Sequence, residues 1–142
     1  MEQEPSTTLL KMKSGIAHIG DVQFLPGYCV LFADPQVASL NDLTLHQRTD
    51  FLLDMGLLGD AILSVCNPVR INYGILGNSH PHLHAHLFPR YDWEPAELRK
   101  RNVWRYPEEY WNKEYAFDPA KHGDMRNRLI ETLRDLMAQA YS

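Results

Sequence analysis

The sequence contains too few cysteines for a fold that depends on disulfide bonds. Cys29 and Cys66 are its two cysteines, separated by 36 residues, and neither belongs to a CxxC pair. This spacing matches neither a disulfide framework nor a cysteine-ligated metal site. We therefore expect a reduced, cytoplasmic compartment.

The chain also lacks long apolar runs and an excess of basic residues. No apolar stretch approaches the roughly 18 residues that a membrane-spanning helix needs, and no apolar core follows the acidic residues 1–5, as a secretory signal would require. Lys and Arg number 14 against 18 Asp and Glu, which gives a net charge of −4. General nucleic-acid binders normally carry a basic excess. We therefore expect no membrane and no nucleic acid among the partners.

The chain has the composition of one globular domain. Hydrophobic residues make up 44% and charged residues 23% of the 142 positions, which is near the average for globular proteins. A chain of this length can bury its own core. Residues 1–13 are polar and aperiodic, so we expect a flexible N-terminal tail there, followed by a single domain over residues 14–142.

Local patterns predict a mixture of strands and helices. We predict strands over residues 15–19, 28–33 and 69–74, where β-branched and aromatic residues collect between turn signals. Helices are predicted over about 44–66 and 124–141, where apolar residues recur every three or four positions.

An aromatic-rich extension is predicted at about 92–121. The stretch from residue 88 to residue 117 holds nine of the 15 aromatic residues. A basic cluster (Arg99, Lys100, Arg101 and Arg105) lies in this extension. It is either a solvated loop surface or a grip for a polyphosphate chain.

Histidine is unusually concentrated in one segment. Four of the seven histidines fall within seven residues, at His80, His82, His84 and His86. Side chains alternate along a strand, so a strand starting at Pro81 and ending near residue 90 places the last three on one face.

Four interpretations of this alternation remain open: a solvated strand face, a metal site, a pH sensor, and nucleophilic catalysis. Nucleophilic catalysis is the most specific, because a neutral imidazole held in one tautomer attacks phosphorus well. Neighbouring imidazoles disfavour multiple protonation and help to keep the attacking ring neutral. The preceding loop over residues 77–79 supplies backbone, amide and hydroxyl donors for phosphate oxygens.

Residues 82–88 read His-Leu-His-Ala-His-Leu-Phe, and this sequence resembles the histidine triad (HIT) superfamily. Flanking stretches over residues 25–31, 72–74 and 77–79 also resemble that family, so the resemblance covers about residues 15–91. It implies an α+β fold, with a five-stranded antiparallel sheet and two main helices, in a homodimer. It also implies that the protein acts on nucleotides through a covalent nucleotidyl-histidine.

Carried over by position, the resemblance implies the catalytic residues. By this resemblance, His84 would be the nucleophile that attacks the α-phosphorus. The region of His82 would fix the tautomer of His84, and His86 would bind phosphate oxygens. Ser79 would contact the phosphate or the bridging atom of the leaving group.

The same resemblance implies the substrate-binding residues: Asn72, Gly77, Asn78 and Asp21. Two positions depart from the family pattern. Tyr28 stands where many members have a further histidine, and Asn78 replaces a glutamine, which shortens the reach of the amide.

The function implied is hydrolysis of dinucleoside polyphosphates or nucleoside phosphoramidates. The alternatives are a nucleotidyl transferase or phosphorylase of the same fold, a non-catalytic nucleotide-binding module, and a metal-dependent hydrolase. The covalent mechanism requires no protein-bound cofactor or metal, although a polyphosphate substrate can carry Mg²⁺.

Overall fold

Five strands form one antiparallel sheet in the computed structural model, which describes residues 7–142. They are β1 (Thr8–Lys11), β2 (Gly15–Ile19), β3 (Cys29–Ala33), β4 (Arg70–Gly74) and β5 (His84–Arg90). Their spatial order is β1-β2-β3-β5-β4, and each neighbouring pair is antiparallel. The histidine strand β5 therefore lies inside the sheet, between β3 and β4.

The two long helices are α1 (Leu45–Cys66) and α2 (Pro119–Ala140). The Thr44 side chain accepts a hydrogen bond from a backbone N–H of the first turn of α1, and Asp118 does the same for α2. Such caps satisfy N–H groups that have no partner within the helix. Asn67 ends α1 in the left-handed conformation, with φ of 54°. The α+β class that the sequence predicts is confirmed.

One face of the sheet and both helices enclose the main core. Leu31 and Leu87 on the strands, Phe51 and Ile62 on α1 and Leu133 on α2 all have no exposed surface. Burying each such side chain contributes about 1.5–3 kcal/mol. The helices thus occupy one side of the sheet and leave the other side for the histidines.

The aromatic-rich extension covers part of that other side. It contains three short 3₁₀ turns, Val103–Arg105, Glu108–Trp111 and Lys113–Tyr115. The Phe24 ring packs against those of Tyr106 and Trp111, each with a centroid separation of 4.8 Å. A second apolar cluster therefore joins the extension to the sheet face opposite the helices.

The prediction of a flexible tail over residues 1–13 is wrong for its second half, because Thr8–Lys11 form the edge strand β1. Two apolar side chains anchor this region, with Leu9 at 6% and Met12 at 2% exposure. Three apolar residues in a short polar stretch, Leu9, Leu10 and Met12, give no periodic signal, so the pairing with β2 is set by the tertiary structure. Residues 1–6 lie outside the described part of the chain.

Two other predicted boundaries shift. Helix α2 begins at Pro119 and not near residue 124, because proline fits the first helical position, where no N–H is required. Strand β5 begins at His84 and not at Pro81. It continues through Arg90, whose carbonyl accepts a hydrogen bond from the Val69 N–H at 2.8 Å.

Among residues 7–142, neither α1 nor α2 nor any shorter helix is long and apolar enough to cross a membrane.

A buried carboxylate ties α1 to the chain on both sides of it. Asp54 is fully buried, and its Oδ2 accepts hydrogen bonds from the Ser14 N–H and the Ser14 hydroxyl, both at 2.7 Å. Its Oδ1 accepts one from the Tyr141 hydroxyl. Three donors thus compensate for the burial of this charge.

Replacing Asp54 with alanine leaves those three donors without their acceptor. We expect Asp54→Ala to lower the free energy of unfolding by about 3 kcal/mol, since buried unpaired donors carry the full desolvation cost. Urea unfolding measures the change. The control is Asp60→Ala at an exposed position of the same helix, with an expected change within about 0.5 kcal/mol. Equal effects of the two substitutions would contradict the assigned role.

Candidate active site

Two histidines of β5 face away from the helices. Ala85 and Leu87 point into the main core, so the strand alternation directs His84 and His86 to the opposite face. Their ring centroids are 4.8 Å apart. The Phe32 ring on β3 stacks beside His84 at 5.3 Å. The site thus lies on an inner strand with a packed core behind it.

His82 lies just before β5, and both of its ring nitrogens have partners. Its Nε2 is 2.8 Å from the carbonyl oxygen of Ala33, and its Nδ1 is 3.1 Å from the amide nitrogen of Gln36. A carbonyl only accepts and an amide nitrogen only donates. His82 is therefore the Nε2–H tautomer, and its ring is fixed to the end of β3.

The backbone carbonyl of His82 fixes the tautomer of His84. His84 Nδ1 lies 2.7 Å from that carbonyl oxygen, so Nδ1 carries the hydrogen and donates it. In the neutral ring Nε2 then has a free lone pair. His84 Nε2 has no hydrogen-bond partner within residues 7–142, which leaves it available to a ligand.

Tyr28 holds the third histidine. Its hydroxyl oxygen is 2.7 Å from His86 Nδ1. Burial, followed by the charge of Asp21, raises the pKa of the Tyr28 phenol, so the phenol stays protonated and donates. Burial and then the nearby His84 lower the pKa of His86 to about 4, although Asp21 opposes this shift. At neutral pH His86 is therefore uncharged, with its hydrogen on Nε2.

The position of Tyr28 depends on close packing on both sides of its ring. Phe88 stacks on it with a centroid separation of 3.9 Å and an interplanar angle of 8°. On the other side is Gly20, where an added Cβ would lie 2.1 Å from the Tyr28 ring. A side chain at position 20 would therefore displace the phenol from His86.

Three cavities meet at these histidines. The first, of about 310 Å³, is lined by three histidines (His18, His84 and His86), by Asp21 and Thr7, and by mostly apolar residues in and beside β2 and β3. The second, of about 370 Å³, lies on the other side of His86, between β4 and the extension. The third, of about 280 Å³, adjoins His84 and includes Gly77. A ligand bound across His84 and His86 therefore has room on both sides.

The predicted substrate-binding residues are distributed among these cavities. Asp21 lines the first, Asn72 the second and Gly77 the third. Asn78 and Ser79 lie in the exposed bend before the histidines and make no hydrogen bond in the described part of the chain. The structure thus brings three of these residues to cavities that touch a histidine of β5.

Sequence reasoning missed two features of the site. Trp104 places the edge of its indole against His86, with a centroid separation of 5.3 Å and an interplanar angle of 86°. The basic cluster around Trp104 predicts an anion-binding or solvated surface, but no local pattern in the sequence predicts a contact between Trp104 and His86. Gln36 is the second, since nothing in its surroundings signals the hydrogen bond to His82.

Beside the second cavity, Arg90 and Glu94 form a buried ion pair. Arg90 Nη2 lies 2.8 Å from Glu94 Oε1, and the two side chains are 4% and 0% exposed. Although burial alone would raise it, hydrogen bonds from Arg90 and Tyr106 hold the pKa of Glu94 below its ordinary value. Arg90 Nη1 also donates to Asn72 Oδ1 at 2.8 Å, which fixes that amide.

Few ring nitrogens of His82, His84 and His86 are available as metal ligands. Both nitrogens of His82 and the Nδ1 atoms of His84 and His86 already have partners. Two Nε2 atoms remain, and a structural zinc site normally uses four protein ligands. In residues 7–142 no group of three or more His, Cys, Asp or Glu side chains is placed to hold a metal ion.

Removing the Tyr28 hydroxyl releases His86 Nδ1 from its donor. In Tyr28→Phe we expect His86 to populate both neutral tautomers, whereas the wild-type ring holds the Nε2–H form. Ring ¹⁵N shifts at pH 7 measure the tautomer ratio. Tyr110→Phe is the matched control, because the Tyr110 hydroxyl makes no hydrogen bond within the described residues. A His86 ring that stays entirely in the Nε2–H form in Tyr28→Phe would exclude a role for the phenol.

The low pKa of His86 predicts a loss of stability in acid. The ordinary histidine pKa of 6.5 exceeds the folded value of about 4, so between these pH values the unfolded chain binds more protons. Stability therefore falls as pH drops through this window. Urea unfolding at pH 7 and pH 5 should show a larger loss for the wild type than for His86→Gln. An equal loss in the two proteins would contradict the lowered pKa.

Comparison with known proteins identifies the fold. No protein-family model and no curated protein sequence matches the chain. Among solved structures, a histidine triad protein from Marinobacter aquaeolei VT8 is 19% identical, with 92% of both chains covered and a TM-score of 0.73. One from Bradyrhizobium japonicum is 18% identical, covering 89% of this chain and 91% of the other, with a TM-score of 0.75.

A diadenosine triphosphate hydrolase from Plasmodium falciparum, in complex with Cyclomarin A, has the same fold. It is 14% identical, with 95% of this chain and 81% of the other covered and a TM-score of 0.64. The TM-scores and coverages establish a shared fold. The protein therefore has the fold of the histidine triad proteins, and its own alternating histidines are at positions 82, 84 and 86.

Proposed function

We propose that the protein is a nucleotide hydrolase that cleaves at the α-phosphate of dinucleoside polyphosphates or nucleoside phosphoramidates. The observation that carries this proposal is the state of His84. Its Nδ1–H is bound to the His82 carbonyl at 2.7 Å, so the lone pair of the neutral ring is on Nε2. A histidine fixed in this way is ready to act as a nucleophile.

In the first step, His84 Nε2 attacks the α-phosphorus, and the phosphorus bond to the leaving group breaks. The leaving group takes the bonding electrons, and an amine leaving group also takes a proton from solvent. The ring becomes a nucleotidyl-imidazolium, and the His82 carbonyl stabilises its positive charge by accepting the Nδ1–H bond. Because this acceptor is already in place, no reorganisation is needed as the charge develops.

In the second step, water attacks the same phosphorus. A new phosphorus–oxygen bond forms, the bond to Nε2 breaks, and the water proton passes to solvent. His84 returns to its neutral form, and the nucleoside monophosphate is released. His86 donates its Nε2–H to a phosphate oxygen in both steps, since its low pKa keeps it neutral and its Nδ1 is engaged by Tyr28.

The first cavity suits the nucleoside that stays on the enzyme. Asp21 offers a carboxylate to ribose hydroxyls, and Ile19, Val30 and Phe32 offer apolar surface to a base. The leaving group then extends towards the second or third cavity, where Asn72 and Gly77 lie. From the exposed bend, Ser79 contacts the phosphate or the bridging atom of the leaving group. The shared fold of the diadenosine triphosphate hydrolase supports this substrate class.

The proposed reaction uses no protein-bound metal or cofactor, and Mg²⁺ enters only on a polyphosphate substrate. If phosphate replaced water in the second step, the protein would be a phosphorylase and would release a nucleoside diphosphate. A binding module would hold the nucleotide without forming the adduct. The homodimer implied by the resemblance stays a prediction.

Trapping the intermediate tests the proposal. We expect rapidly quenched wild-type protein to carry one nucleotidyl group after mixing with an adenosine phosphoramidate or a diadenosine polyphosphate, with EDTA present. Removing a nucleophile typically costs several orders of magnitude in rate, so His84→Ala should form no adduct and release no AMP. Intact-protein mass spectrometry measures the adduct.

The control variant is His46→Ala, since His46 has an 84% exposed side chain on α1, and it should behave as the wild type does. Tight AMP binding without adduct or turnover would replace the hydrolase with a binding module. AMP release that needs zinc and shows no adduct would replace the covalent mechanism with a metal-dependent one. ADP formed from the phosphoramidate when phosphate is added would identify a phosphorylase, because hydrolysis of that substrate yields only AMP.

A further inference from the structure

A basic cavity of about 240 Å³ lies at the far end of β4 and β5 from His84. Five of its seven lining residues are cationic, namely Arg70, Arg90, Arg99, Lys100 and Arg101. The other two are asparagines, so no carboxylate lines this cavity. In a chain whose net charge is −4, such a concentration of positive charge favours an anionic ligand.

Arg90 forms the fixed base of the cavity. Its guanidinium donates to Glu94, to Asn72 and to the carbonyls of Leu98 and Arg101. Its charge is therefore balanced by Glu94, and its donors are occupied. Because two of these acceptors belong to the backbone of the extension, Arg90 holds the segment with the other cations in place.

The other four cations, Arg70, Arg99, Lys100 and Arg101, are exposed. None of them forms an ion pair with a carboxylate in the described part of the chain. Four like charges around one cavity repel each other. A bound polyanion relieves that repulsion, and guanidinium groups bind phosphate oxygens through paired hydrogen bonds.

The basic cavity is adjacent to the candidate active site. Asn72 and Asn102 line both this cavity and the second active-site cavity, which contains His86. Asn72 directs its oxygen to Arg90, and its amide nitrogen has no partner within residues 7–142. Along β5, Arg90 follows His86 by four residues, a distance of about 13 Å at roughly 3.3 Å per residue.

We propose that the basic cavity is an anion subsite for distal phosphates of the leaving group. This inference rests on the proposed function and narrows its substrate class. At about 13 Å beyond His86 along the strand, the subsite favours substrates whose leaving group carries several phosphates. The subsite does not strengthen the binding of a phosphoramidate whose leaving group is a neutral amine, because that leaving group carries no phosphate.

The test combines binding and turnover in a variant that lacks two of the cations, Lys100→Gln/Arg101→Gln. The first measurement is calorimetric titration with inorganic tripolyphosphate, which needs no catalysis. We expect about a tenfold weaker Kd in the variant, since each exposed charge contributes up to about 1 kcal/mol. The matched control is Lys121→Gln/Arg134→Gln, which removes one exposed Lys and one exposed Arg from α2 and should bind as the wild type does.

The second measurement compares kcat/KM for diadenosine tetraphosphate with that for an adenosine phosphoramidate that has a neutral amine as its leaving group. We expect this ratio to fall about tenfold in Lys100→Gln/Arg101→Gln and to stay unchanged in the control. Undiminished tripolyphosphate binding by Lys100→Gln/Arg101→Gln would overturn the subsite. Weaker binding with an unchanged ratio would assign the cavity to a free polyanion and overturn its role in substrate binding.

A wild-type protein that hydrolyses neither substrate would refute the proposed function. The tripolyphosphate titration then decides the anion site alone, because it does not depend on turnover. A Kd for tripolyphosphate that rises only in Lys100→Gln/Arg101→Gln would still support anion binding at the cavity. The proposal that the cavity binds phosphates of a leaving group would be overturned.

Discussion

Strand β5 lies between β3 and β4, and this inner position makes one short segment serve both the core and the candidate site. Alternate residues of the strand, Ala85 and Leu87, are fully buried beneath the helices. His84 and His86 between them can therefore only face the opposite side. Pairing with β3 fixes the backbone at His84, and pairing with both β3 and β4 fixes it at His86. The positions of the two histidines are thus fixed by the same strand that contributes Ala85 and Leu87 to the core.

The three histidines differ in their hydrogen-bond partners, and these partners decide which ring nitrogens can contact a ligand. The Ala33 carbonyl and the Gln36 amide use both nitrogens of His82, so its ring has a structural role. His84 has one nitrogen engaged by a carbonyl, and its other nitrogen keeps the lone pair. His86 is engaged by a phenol at Nδ1 and, with a pKa of about 4, stays neutral. Three identical side chains thus differ in which ring nitrogens lack a partner: none in His82, and Nε2 in His84 and His86.

Local patterns in the sequence predicted the elements around this site well. The period of α1, the strand at residues 15–19 and the alternation from His84 onwards each depend on neighbours in sequence, and the structure has them. The same strand was expected to include His82, which instead lies just before β5 with its ring bound to Ala33 and Gln36. The missed features depend on distant residues. Strand β1 exists because β2 offers an edge, and the bond between Tyr28 and His86 joins positions 58 residues apart. No window of sequence contains both partners of such a contact.

The extension after β5 changes what the fold presents to a ligand. It places Trp104 against His86 and carries three of the exposed cations that surround the basic cavity. Its backbone is tied to the sheet by Arg90, whose donors reach the carbonyls of Leu98 and Arg101. Arg90, the buried last residue of the histidine strand, thus connects that strand to the segment that carries the exposed cations. The core of the fold therefore determines where His84 and His86 lie, and Arg90 determines where the exposed cations of the extension lie relative to them.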